Sequence, residues 1–163
     1  MTALTAQREA ATARAAAVAW LGQQIAAYRR TTWRWQNVMG LPLTETEGRR
    51  LVEMSIPDIQ QAVRLWQQRA SAVRRTAQHP PNLAAWLCIH RYEGSWTDGG
   101  GPYYGGLQMD LGFQRRYGGP LLRTKGTADH WTPLEQIWVA ERARSAGRGF
   151  YPWPNTARAC GLM

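Results

Sequence analysis

Apolar residues at Ala11, Ala15, Val18, Leu21, Ile25 and Tyr28 step by three and four through a stretch with few glycines. That spacing sets them on one side of an α-helix and leaves an apolar stripe in need of a partner. Ile59, Val63, Trp66, Ala70 and Val73 repeat the pattern, with Arg64, Arg69, Arg74 and Arg75 interleaved and Pro57 suited to a first helical turn. Two such helices most simply fold back on each other. Between them "NVMGLPLTE" breaks the periodicity at Gly40 and Pro42, and Thr44 with Glu47 reads as a capping box that opens a short helix.

"HPPN" at 79–82 ends this regime. Beyond it glycines are frequent and the elements are short. Asn82 is placed to cap a helix over 83–93 that Gly94 stops. "TDGGGPYYGGLQM" reads as turn, short strand and turn. Asp110 is expected to cap a helix through Tyr117, closed by the Gly118–Gly119 pair. Thr132, Pro133 and Glu135 supply N-cap, first-turn proline and capping-box partner for a helix to about Ala146. The expectation is an α+β, mostly α chain: a helical hairpin over 1–79, then a domain over 80–163 with a small β element.

The formal charge is +9, from nineteen arginines, Lys125 and eleven acids, and +6 of it lies before residue 81. A basic surface of this kind favours anionic wall polymers, acidic membranes, nucleic acid or an acidic protein partner. The plain alternative is a solvated helix face. No helix-turn-helix, zinc or RNA-binding signature supports a nucleic-acid binder. The first twenty residues carry Arg8, Glu9 and Arg14 without an unbroken apolar run, which predicts no signal peptide. No stretch reaches membrane-spanning length. Cys88 and Cys160 form no metal-ligand cluster, so neither metal nor cofactor is expected. They read as one disulfide or as two buried thiols.

The helix over 83–93 brings Trp86, Ile89 or His90, and Glu93 to one side. Glu93 thus shares a face with large, mostly apolar side chains and sits in the last turn, where the helix dipole disfavours negative charge. Both features favour the protonated form that a general acid needs. The competing reading is a surface glutamate bonded to a loop. His90, one turn earlier, reads as a packed helix residue. Glu141 is expected to pair with Arg144.

Several short segments now fall into one order: "EGSW" (93–96), "YYGGLQM" (103–109), "YGG" (117–119), "EQIWVAERARSAGRG" (135–149), "WP" (153–154) and Cys160. In that order they resemble the transglycosylase-like domain of resuscitation-promoting factors, actinobacterial cell-wall enzymes with a lysozyme-like fold. The resemblance covers about residues 86–160. It implies peptidoglycan as the partner and Glu93 as the acid that protonates the glycosidic oxygen between N-acetylmuramic acid and N-acetylglucosamine. It implies a sugar groove lined by Tyr104 and Gln108, with Trp96, Tyr103 and Trp153 contributing or packing. The family's cysteine commonly precedes the catalytic glutamate directly, whereas Cys88 lies five residues before Glu93, and "NTARA" separates Trp153–Pro154 from Cys160. A Cys88–Cys160 bond is therefore an expectation that the motif only partly carries.

Glycoside hydrolysis usually needs two carboxylates. Asp98 and Asp110 are nearest in sequence, and Asp110 already reads as a helix cap. A lytic transglycosylase manages with one carboxyl, because the substrate's N-acetyl group and 6-hydroxyl assist. The reading is a lytic transglycosylase, with a second-carboxylate hydrolase and a non-catalytic wall-binding module as alternatives. Its substrate lies outside the membrane, so the expected location is extracellular or in the cell wall, by an atypical export route or on a phage particle.

Overall fold

A computed structural model describes residues 3–46 and 48–163. The chain is mostly helical, with one two-stranded antiparallel sheet. The helices are α1 (Ala3–Met39), α2 (Ile56–Ala77), α3 (Leu83–Glu93), α4 (Leu111–Lys125), α5 (Pro133–Ala143) and α6 (Pro154–Ala159). The strands are β1 (Tyr103–Tyr104) and β2 (Met109–Asp110). None of the described helices is long and apolar enough to cross a membrane. The chain forms two compact units, Met1–Trp35 with Leu43–Arg74, and Gln36–Pro42 with Arg75–Met163.

In the first unit the predicted stripes of α1 and α2 meet from Val18 onward, while Ala11 and Ala15, the start of the expected α1 stripe, are exposed. Val18, Leu21 and Ile25 from α1 join Met54, Ile59, Val63 and Trp66 in one buried cluster, flanked by Tyr28 and Trp33. Each fully buried side chain of this size contributes roughly 1.5–3 kcal/mol. Ser55 opens α2: its hydroxyl accepts the Asp58 N–H at 3.2 Å and donates to Asp58 Oδ2 at 2.7 Å. The short helix expected after Thr44 is a single 3-10 turn at Leu51–Glu53, and Glu47 of the expected capping box lies outside the described residues.

In the second unit α3, α4, α5 and α6 surround a core containing Trp86, Ile89, Leu107, Met109, Ile137, Val139 and Trp153. The strands pair Tyr103 with Asp110 and Tyr104 with Met109 across a tight turn. Two helix starts read from sequence hold. The Asp110 side chain accepts the Phe113 N–H at 2.7 Å. Thr132 and Glu135 form a reciprocal capping box with Pro133 in the first turn.

Two other boundaries differ. Gly118–Gly119 does not end α4; the helix kinks at Gly118 and runs on through Pro120 to Lys125. The glycine is required there by close approach, since a Cβ would lie 2.5 Å from Trp131 Cη2, and Pro120 suits the first turn of the continued segment. Asn82 precedes α3 but does not cap it. Its backbone is left-handed, and its amide lies against the Glu141–Arg144 ion pair instead. After Ala143, α5 loosens into a wide turn over Arg144–Arg148 that ends as Gly147 and Gly149 take positive φ.

Cys88 and Cys160 are bonded, joining the middle of α3 to the residue that closes α6. The bond spans 72 residues, so its removal frees a large loop in the unfolded chain. Replacing both cysteines with serine is expected to lower the unfolding free energy by about 4 kcal/mol on the loop-entropy relation. Denaturant titration of the pair of proteins measures this.

Candidate functional site

α3 ends at Glu93 because Gly94 takes φ 154, ψ −167, a conformation that side-chain-bearing residues rarely adopt, while its N–H still reaches the His90 carbonyl. The half-buried Glu93 carboxyl then faces a cleft of about 220 Å³, lined also by Tyr103, Gln108, Pro152, Trp153 and Asn155. Thr156 Oγ1 donates to Glu93 Oε1 at 2.8 Å. This bond fixes one carboxylate oxygen. Among the described lining residues Glu93 is the one acid.

Gln108 lines the same cleft from the turn between β1 and β2. Its backbone is left-handed at φ 48, a conformation costing a non-glycine residue roughly 1 kcal/mol. Its amide nitrogen donates to Asp98 Oδ2 at 2.9 Å and to the Gly105 carbonyl at 3.0 Å. Asp98 is further engaged by the Gly100 N–H through Oδ1. Asp98, the acid next after Glu93 in sequence, is therefore tied into the turn, and Asp110 is occupied as a helix cap.

The predicted site residues separate into two groups. Glu93, Tyr103, Gln108 and Trp153 line one cleft. Tyr103 is exposed, whereas Trp153 is 4% exposed and anchored by an Nε1 bond of 2.6 Å to the Leu107 carbonyl. Tyr104 and Trp96 are not part of that lining. Tyr104 pairs with Met109 in the sheet. Trp96 stacks on His90, with ring centroids 3.8 Å apart. His90 Nδ1 lies 3.0 Å from the Gly106 carbonyl, which can only accept, so that nitrogen carries the proton. The His90–Trp96 pair supports the turn rather than facing the cleft.

Thr156, Asn155 and Pro152 were not singled out from the sequence. Their one sequence signal is the neighbouring "WP" at 153–154. Beneath the turn lies Gln136, fully buried. Its Oε1 accepts the Gly106 N–H at 2.8 Å. Its Nε2 reaches the carbonyls of Trp96, Ala128 and Trp131 at 2.9–3.0 Å. A Cβ at Gly105 would collide with this amide, and one at Gly106 with His90 and Trp96. The paired glycines let the turn approach its support.

A different carboxylate is buried behind the cleft. Burial pushes the Glu141 carboxyl up, but hydrogen bonds from Arg144, Trp86 and Asn82, with the Arg144 charge, outweigh it and hold the group below the usual carboxylate range. The distances are 2.7 Å to Arg144 and 2.8 Å to Trp86 Nε1. Burial lowers the neighbouring Arg142, while Glu141 raises Arg144.

No family model, curated protein or solved structure matches the chain. The described residues hold no cluster of three or more His, Cys, Asp or Glu suited to a metal.

Because the folded Glu141 carboxyl is depressed, its stabilisation is complete above its unfolded value near pH 4.3 and is lost as pH falls toward the folded value. At pH 7, Glu141→Gln is expected to cost about 2 kcal/mol, and the deficit should shrink below pH 4. Unfolding free energies at pH 7, 5 and 3.5 test this; an equal deficit at all three would refute it.

Proposed function

We propose that the chain is a peptidoglycan-cleaving enzyme with a lysozyme-like second unit, acting as a lytic transglycosylase on the N-acetylmuramic acid–N-acetylglucosamine bond. The observation that carries this is the cleft itself. It is lined by one carboxyl, whose Oε1 accepts from Thr156. The resemblance of the ordered motifs to resuscitation-promoting factors points to the same glutamate.

In this mechanism protonated Glu93 donates its proton to the glycosidic oxygen as the bond to C1 breaks. The substrate's N-acetyl oxygen stabilises the electron-poor C1. The carboxylate left behind then takes the proton of the muramic acid 6-hydroxyl, whose oxygen bonds to C1 and closes the anhydro ring. Proton and electron pair balance without water. Tyr103, Gln108 and Trp153 line the path of the glycan, while Tyr104 and Trp96 shape the turn that carries Gln108. The engagement of Asp98 by Gln108 and Gly100 favours this route over hydrolysis, which usually uses a second carboxylate. The Cys88–Cys160 bond fits an extracellular or cell-wall setting. The basic first unit is assigned to an anionic wall polymer or a protein partner.

Mass spectrometry of fragments released from purified peptidoglycan is the deciding experiment. Anhydromuramic ends are expected from the wild type and should fall by roughly 10²–10⁴ in Glu93→Gln. Reducing ends would make the enzyme a hydrolase, and no release from folded protein would make it a binding module. Thr156→Val should lower kcat roughly tenfold with little change in KM, since it removes orientation and not glycan contact.

A further inference from the structure

The first unit holds a cavity of about 190 Å³ unrelated to the Glu93 cleft, and three arginines line it: Arg29 from α1, Arg49 from the connecting segment and Arg69 from α2. Arg29 and Arg69 both stack on Trp66, their guanidinium carbons 5.0 and 4.9 Å from its ring centroid. Trp66 is 4% exposed, so the indole is a fixed platform. Among the described residues none of the three guanidinium groups forms an ion pair or hydrogen bond with a carboxylate. Arg29 Nε is buried without any hydrogen-bond partner, which means that ring packing and not an acceptor holds that side chain.

A guanidinium side chain is a permanent cation at ordinary pH. Asp58, the one acid in the lining, is committed to the start of α2 through Ser55. The cavity therefore keeps an excess of positive charge over an apolar floor that includes Ile25 and Met54. Bringing guanidinium groups together in this way is unfavourable unless an anion joins them. Planar guanidinium forks match the oxygens of a phosphate particularly well, and a tetrahedral group can accept from several forks together.

The geometry points to a phosphate-binding site in the helical unit, with Arg29, Arg49 and Arg69 as donors and Trp66 as their support. The ligand class is a phosphate monoester or phosphodiester. This narrows the anionic-polymer assignment of the first unit to one seat. It does not depend on catalysis at Glu93, because binding and glycan release are measured separately.

Isothermal titration of the full chain with inorganic phosphate in low-chloride buffer tests the site. One saturable event per chain is expected. Arg49 and Arg69 are exposed, and replacing them leaves every side chain of the buried cluster in place. The double variant Arg49→Gln/Arg69→Gln should weaken binding by at least roughly tenfold. A control of equal charge change, Arg8→Gln/Arg64→Gln, should bind as wild type. Competition with glycerol phosphate and with poly(glycerol phosphate) then identifies a monoester or diester source, and displacement by either supports the site. Absence of saturable binding, or equal weakening in both double variants, would overturn the proposal, the latter leaving net charge as the only attraction. Preferential binding of duplex DNA, unaffected by Arg49 and Arg69, would overturn it too.

Discussion

The second unit depends on how one neutral amide, the side chain of Gln136, is satisfied. Four backbone groups from three segments meet it: Gly106, Trp96, and Ala128 with Trp131. Leaving any one of these unpaired in the interior costs on the order of 1–3 kcal/mol. The amide therefore sets the distance between α5 and the turn that carries Gln108. Gln114 plays a smaller version of the same part, bonding the Met109 carbonyl and the Ala128 N–H. Two neutral side chains, rather than extended sheet, hold the irregular segments of this unit.

The acids divide by what surrounds them. Glu135 is fully buried, yet it receives Lys125 and the Thr132 N–H. Glu141 receives Arg144, Trp86 and Ser145. Both are saturated with donors, as buried charge requires. Glu93 differs in kind. It has a single neutral donor, Thr156, and an open cavity beside it. The contrast within one unit separates two acids saturated with donors from one that lines an open cleft.

Local grammar made much of this readable from residues alone. The stripes of α1 and α2, the Asp110 cap and the Thr132–Glu135 box depend on neighbours within a few positions, and all are found. The misreadings share a cause in distant contacts. Gly118 looked like a stop because Trp131, which crowds it, is thirteen residues away. Asn82 looked like a cap because Glu141 and Arg144, which occupy its side chain, lie on another helix. The Glu93 cleft was partly legible: Gln108, Tyr103 and Trp153 reach it, but Thr156 arrives from 63 residues away with no local pattern to announce it. The family resemblance set Tyr104 in the expected groove and left Trp96 to line it or to pack; strand pairing with Met109 holds Tyr104, and stacking on His90 holds Trp96.

Lys125 is the sole lysine among twenty basic residues. Its ammonium group bonds both oxygens of buried Glu135, with the side chain 31% exposed. An amine-acylating reagent thus meets one side-chain target in the entire sequence, and arginine's guanidinium is inert to it. In the folded chain the ammonium group is held against the Glu135 carboxylate and partly shielded from the reagent, and in the unfolded chain that shielding disappears. Chemical labelling at a single atom thereby becomes a clock for the docking of the end of α4 on the start of α5.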